Sequence, residues 1–113
     1  MSHSNLDLLR HINDEVIFIL ESTANKEKDE LISDKVLSRA IIRSLEIIGE
    51  AAKKLDEEFK ATNNRIEWKK IAGTRDRLIH EYFGVDYDIV WDIISTKLPE
   101  LQEYVQDILE TKG

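Results

Sequence analysis

The chain has no cysteine, one proline and four glycines in 113 residues. Without cysteine there are neither disulfides nor thiolate metal sites. With so little proline and glycine, the many tight turns of a sheet protein are hard to supply. Long hydrophobic runs are missing as well, since no stretch approaches the ~20 apolar residues that span a bilayer. Met1, Ser2, His3 and Ser4 carry no basic region leading into an apolar one. The expectation is a cytoplasmic protein with no membrane partner. No histidine-rich cluster has metal-ligand spacing, so no metal is expected. Neither a glycine-rich phosphate loop nor a serine nucleophile elbow is present, and no cofactor is expected.

Positive charge is the scarcer sign. Sixteen Lys and Arg stand against 23 Asp and Glu, for a net charge of −7. Proteins held to nucleic acid mainly through phosphates are usually basic or carry a dense basic patch. The balance argues against tight nonspecific binding of duplexes and leaves room for a small basic cleft. What is abundant is hydrophobic residues at 42% and charged ones at 35%, the balance of amphipathic helices. Residues 1–113 fit a single domain.

Apolar residues recur at helical spacing throughout. Leu6, Leu9, Ile12, Val16, Ile19 and Leu20 predict a first helix over 6–24, with Ser4 or Asn5 as its cap. A charged break, Lys26 to Glu30, precedes a second helix capped by Ser33 or Asp34. Its stripe runs Leu37, Ile41, Leu45, Ile48, Ala52, Leu55 and Phe59. After a connection at Ala61 to Ile66, a third helix is predicted from Trp68 to Tyr82, ended by Gly84. Asp86 caps a fourth segment with Ile89, Val90, Ile93 and Ile94, and Pro99 marks the start of a last helix. No run alternates long enough to demand a strand. The pattern implies an all-α protein, a four- to five-helix up-down bundle. Ile42 and Ile47 are candidate surface positions for a contact between copies.

Chemistry concentrates in Trp68 to Trp91, WKKIAGTRDRLIHEYFGVDYDIVW. On one continuous helix, Trp68, Ile71, Arg75, Leu78, Ile79 and Tyr82 share a face. A guanidinium in that stripe needs an anionic partner, with Glu46 or Glu50 as candidates. Asp76 and His80, four apart, fall together on a neighbouring face. A carboxylate there can fix the imidazole tautomer. Arg75 holding phosphate oxygens and His80 moving protons suit phosphodiester cleavage without a metal. One histidine does not easily serve as base and acid at once, so a two-fold dimer would complete the set. The same residues also fit a structural role, with Arg75 in an ion pair, His80 capping carbonyls and Tyr82 in the core.

The stretch resembles the HepT family of HEPN domains, whose hallmark is Arg, four residues, His, one residue, Tyr. Here it reads Arg75-DRLI-His80-Glu81-Tyr82. Trp68, Ile71-Ala72-Gly73, Phe83-Gly84-Val85-Asp86 and Trp91 agree with the family. So do the block AIIRSLEIIGEAAKKL from Ala40, with Arg43, Glu46, Gly49 and Glu50, and the block Leu98-Pro99-Glu100-Leu101. The resemblance covers residues 5 to 110. It implies the HEPN fold in a two-fold dimer whose paired motifs cut RNA without metal. Arg75 and His80 are then the catalytic pair and Asp76 supports the histidine. It further implies a toxin–antitoxin pair, in which an MNT-type nucleotidyltransferase antitoxin neutralises the toxin by transferring AMP to Tyr82. Glu81 departs from the small residue frequent there, and Asn63-Asn64-Arg65 stands where prolines are common. Two other functions remain open: a non-catalytic substrate-binding or regulatory subunit of a two-component nucleotidyltransferase, and a plain helical dimerisation protein.

Overall fold

A computed structural model of the chain describes residues 4–80 and 84–112. The protein is an all-α bundle, as its periodicity predicts. Helix α1 is Asn5–Thr23, and Ser4 caps it by accepting a hydrogen bond from the Asp7 amide. Helix α3 is Lys35–Lys54, capped in the same way by Asp34, which accepts from Leu37. Between them, the charged break expected at Lys26 to Glu30 folds as a short helix, α2, Lys28–Ser33. Its first turn is fixed by the Glu27 amide donating to Glu30 Oε1 at 2.9 Å.

The second long helix is shorter than its apolar stripe suggests. It stops at Lys54, and Phe59 belongs to a separate helix, α4, Glu57–Thr62. The break is tertiary in origin. Asn5 Nδ2 donates to Asp56 Oδ2, and the Asp56 amide donates to Asn5 Oδ1, both at 3.1 Å. This reciprocal pair joins the start of α1 to the end of α3, so the two helices run antiparallel. Leu9, Ile12, Val16 and Ile19 of α1 meet Ile41, Leu45, Ile48 and Ala52 of α3 in the core.

Helices α5 (Trp68–Ala72) and α6 (Thr74–Leu78) follow and pack on α3. A short antiparallel ribbon comes next, β1 (Ile79–His80) with β2 (Gly84–Val85), pairing Ile79 with Val85 and His80 with Gly84. Helix α7 (Tyr87–Asp92) leads through a π-helical turn, Ile93–Lys97, into α8 (Leu98–Lys112) without leaving helical geometry. Lys28 pairs with Asp88 at the start of this rod. Near its end Arg65 pairs with Asp107 at 3.6 Å, and the Arg65 guanidinium lies 4.6 Å from the Tyr104 ring centre. The rod therefore runs parallel to α3 and antiparallel to α1. With α1, α3 and the α5–α6 segment it completes a four-membered bundle.

Pro99 explains the π turn. Its ring supplies no amide hydrogen and crowds the carbonyl four residues earlier, so the helix widens just ahead of it. The Leu98 amide then reaches the carbonyl of Ile93, five residues back. None of the described helices is long and apolar enough to cross a membrane. Ile42, one of the two candidate contact positions on α3, is half-buried and packs against the core. Ile47 is half-buried as well. Among the described residues, the large apolar side chains that are exposed are Phe18, Ile32 and Val36.

Candidate active site

The helix predicted from Trp68 to Tyr82 is not continuous over its described residues, Trp68 to His80. Helix α5 ends at Ala72, α6 begins beyond Gly73, and α6 itself ends at Leu78. The chain turns at Gly73, whose amide still reaches the Lys69 carbonyl at 3.0 Å. Thr74 bridges the break, donating from Oγ1 to the Lys70 carbonyl at 3.2 Å. The later break follows from long-range pairing. The Leu78 carbonyl accepts from the Asp86 amide at 2.7 Å, and Ile79 pairs with Val85. A β-branched residue such as Ile79 loses little in that extended conformation.

Three anchors set this segment on the frame. Trp68 is buried, donates from Nε1 to the Asn63 carbonyl at 3.0 Å and packs its ring 6.4 Å from that of Phe59. Leu78 is fully buried. Gly49 of α3 allows the end of α5 to approach closely, because a Cβ there would sit 3.3 Å from the Ile71 carbonyl oxygen and 3.5 Å from that of Ala72. That approach brings α6 alongside Glu46, one turn before Gly49.

At Arg75 this placement brings two opposite charges together. Its Nε donates to Glu46 Oε2 at 3.0 Å. The pair is lopsided: the Glu46 side chain is 22% exposed and that of Arg75 is 60% exposed. The helical wheel expected Arg75 within an apolar stripe. The breaks in the helix turn it to the surface instead, while the anionic partner expected for it is Glu46. Holding a guanidinium through Nε leaves both terminal nitrogens for a further anion. A phosphate with two free oxygens has the complementary fork.

Asp76 is exposed on α6. Because α6 ends before residue 80, the four-residue spacing of Asp76 and His80 no longer places them on one helical face. His80 is described through its backbone, which pairs with Gly84. Its side chain lies outside the described residues, as does Tyr82. Among the described residues no group of three His, Cys, Asp or Glu side chains is arranged to hold a metal.

Sequence reasoning missed one further feature. A cleft of about 280 Å³ opens on the other side of α6, with Lys70, Arg77 and Lys97 among its lining residues. Lys70, Thr74 and Arg77 recur at intervals of four and three, and that one-sided spacing was the available signal.

Comparison with known proteins bears on these residues together. The family model described as ribonuclease HepT-like matches residues 12–108. The protein named "Putative RNase TTE0752" from Caldanaerobacter subterraneus is 48% identical over 102 residues, covering 90% of this chain and 91% of the relative. "Putative RNase MJ0127" from Methanocaldococcus jannaschii is 42% identical over 106 residues, 90% of this chain and 84% of the relative. "Probable ribonuclease HepT" from Thermococcus cleftensis is 38% identical over 102 residues, 90% of this chain and 93% of the relative. No solved structure matches the chain. The family match and the relatives extend over the bundle as well as the Arg75 segment, so the chain belongs to the ribonuclease HepT-like family.

Proposed function

We propose that this protein is the toxin of a toxin–antitoxin pair, an endoribonuclease that cleaves RNA without a metal. Membership of its family carries an RNase-type function. The observation that supports the specific mechanism is the exposed guanidinium of Arg75, fastened through Nε to Glu46, with its terminal nitrogens held by no other described residue. They hold the nonbridging oxygens of the scissile phosphate and stabilise the charge that grows there in the transition state. His80 takes the proton of the ribose 2′-hydroxyl as its oxygen attacks phosphorus. The bond to the 5′-oxygen breaks, and that oxygen receives a proton from the His80 of a second copy. Two chains related by a two-fold axis supply both histidines and both arginines. Asp76 supports the imidazole. An MNT-type nucleotidyltransferase antitoxin silences the site by moving AMP from ATP to the Tyr82 hydroxyl, breaking the α–β phosphoanhydride and releasing pyrophosphate, which adds a phosphate and a base where RNA would lie.

The test is incubation of the purified protein with total RNA in EDTA beside Arg75→Ala and His80→Ala, with intact mass measured. Cleavage that survives EDTA and disappears in both variants is the expected result. An inactive protein free of AMP sinks the toxin reading. A second reading, a non-catalytic substrate-binding subunit of a two-part nucleotidyltransferase, draws on the cleft beside Arg77, which lies within one chain. Under that reading the protein binds nucleotide and cleaves nothing.

A further inference from the structure

The cleft lies between α3, the α5–α6 segment and the final rod. Its floor is aliphatic, with Ile48, Ile71 and Leu101, and Tyr104 adds an aromatic ring to the wall. Around it stand Lys70, Arg77 and Lys97 against two carboxylates, Glu67 and Glu100. In a chain of net charge −7, this is a local excess of positive charge over an apolar hollow. Glu67 is matched by Lys70 at 2.9 Å, and Lys70 together with nearby Lys97 holds its carboxyl below the usual range. Arg77 and Lys97 form no ion pair with another described residue.

We propose that this cleft is a nucleotide subsite for single-stranded RNA, with a base on the aliphatic floor beside Tyr104 and the flanking phosphates on Lys70, Arg77 and Lys97. A volume of about 280 Å³ admits a nucleobase with its sugar but not a peptide helix. Aromatic and apolar surface beside a cationic track is the chemistry by which single strands are held without a fixed sequence. Glu67, kept ionised by Lys70, accepts from a ribose hydroxyl or an exocyclic amine rather than meeting phosphate. The position rests on the RNase reading. Thr74 and Arg77 face the cleft, whereas Arg75 of the same short helix faces Glu46. A strand crossing α6, whose width with side chains is roughly 10–12 Å, reaches Arg75 with one nucleotide and the cleft with a neighbour.

The decisive experiment measures anisotropy of a short fluorescein-labelled 2′-O-methyl oligoribonucleotide, which the 2′-hydroxyl chemistry cannot cleave. It is titrated with the full chain, with Lys97→Ala, with Arg77→Ala and with the double variant. Both side chains are exposed, so the fold is retained. Each substitution is expected to weaken binding roughly tenfold and to lower the slope of log affinity against log salt by about 0.7, the value of one phosphate contact to a single strand. AMP should displace the probe at far lower concentration than pyrophosphate. Unchanged affinity and slope in the double variant, or equal competition by the two, overturns the subsite. Cleavage by the wild type with unaltered double-variant binding leaves the RNase reading standing and removes this one. A reduced slope with no cleavage by wild type that is free of AMP does the reverse.

Discussion

The α1–α3 pair and the Trp68–Val85 segment are built on opposite plans. The pair consists of helices 19 and 20 residues long, each capped at its start by a side chain and locked at one end by the Asn5–Asp56 exchange. The described residues of the segment form two helices of five residues and two strands of two, neither helix with a side-chain cap at its start. Its stability is borrowed, through Trp68, Leu78 and the close approach at Gly49. A helix of five residues is far below the length that holds itself together in water. The motif to which the proposed function assigns the chemistry thus sits on the part least able to fold alone. The placement of Arg75 is set by the frame, and Glu46 on α3 is the point where the frame touches the guanidinium.

The largest expected effect breaks the frame itself. Ile41→Ala empties a fully buried position and should cost about 2–5 kcal/mol in urea denaturation, with the whole chain melting in one transition. Two separate transitions would show that the segment does not depend on the frame. Next comes the joint. Gly49→Val adds bulk where one carbon already comes to 3.3 Å of the Ile71 carbonyl, costs about 1–3 kcal/mol and lowers RNA cleavage more than the stability loss explains. Glu46→Ala sharpens the comparison further. The pair is half open to solvent, so stability should change by no more than ~1 kcal/mol. Cleavage should fall about tenfold, or ~1.4 kcal/mol in the barrier, with Glu46→Gln restoring part of it because the amide oxygen still accepts from Nε. Equal activity in Glu46→Ala would separate the ion pair from the chemistry.

The smallest effect is a matter of pH. The Glu67 carboxyl lies below its ordinary range because it accepts a hydrogen bond from Lys70 and feels that lysine's charge. Its contribution is therefore present above the ordinary carboxylate range and is lost as pH falls from there through the lowered value of the folded state. Glu67→Gln should lower the Tm slightly at neutral pH and leave it unchanged in strong acid. A difference that persists in acid would mean that Glu67 acts through something other than its charge.

The frame was legible in the sequence because its signals are local. Ser4, Asp34 and Asp86 cap the helices they were expected to cap, and the periodic apolar faces of α1 and α3 are buried as their spacing implies. The end of α3 was not legible, since Asn5 stops it from 51 positions away. Helix α2 escaped notice because its first-turn box uses Glu27 and Glu30 rather than the usual Ser or Thr. In the site segment, the residues of the motif could be named but their arrangement could not. Helical spacing put Arg75 with Leu78 and Ile79, and Asp76 with His80. The hydrogen bond from Asp86 to Leu78 and the Ile79–Val85 pairing cut that helix short. Those partners lie within a dozen residues, yet nothing in an apolar periodicity announces a two-residue ribbon.

The π turn before Pro99 has a consequence for the last helix as a whole. Ile93 and Leu98 are both buried although five residues separate them. At 100° per residue an α-helix would set them 140° apart, on different sides of the rod. The widened turn takes up the extra residue, so the apolar faces before and after it are written in two phases that one helix reconciles. Removing a single residue between Ile93 and Leu98 would leave them about 40° apart on an ordinary α-helix, so the widened turn would close up with both apolar faces still in phase. Removing two residues there would act less as a shortening than as a rotation, swinging Leu101, Val105 and Ile108 away from the core together and carrying the wall of the cleft with them.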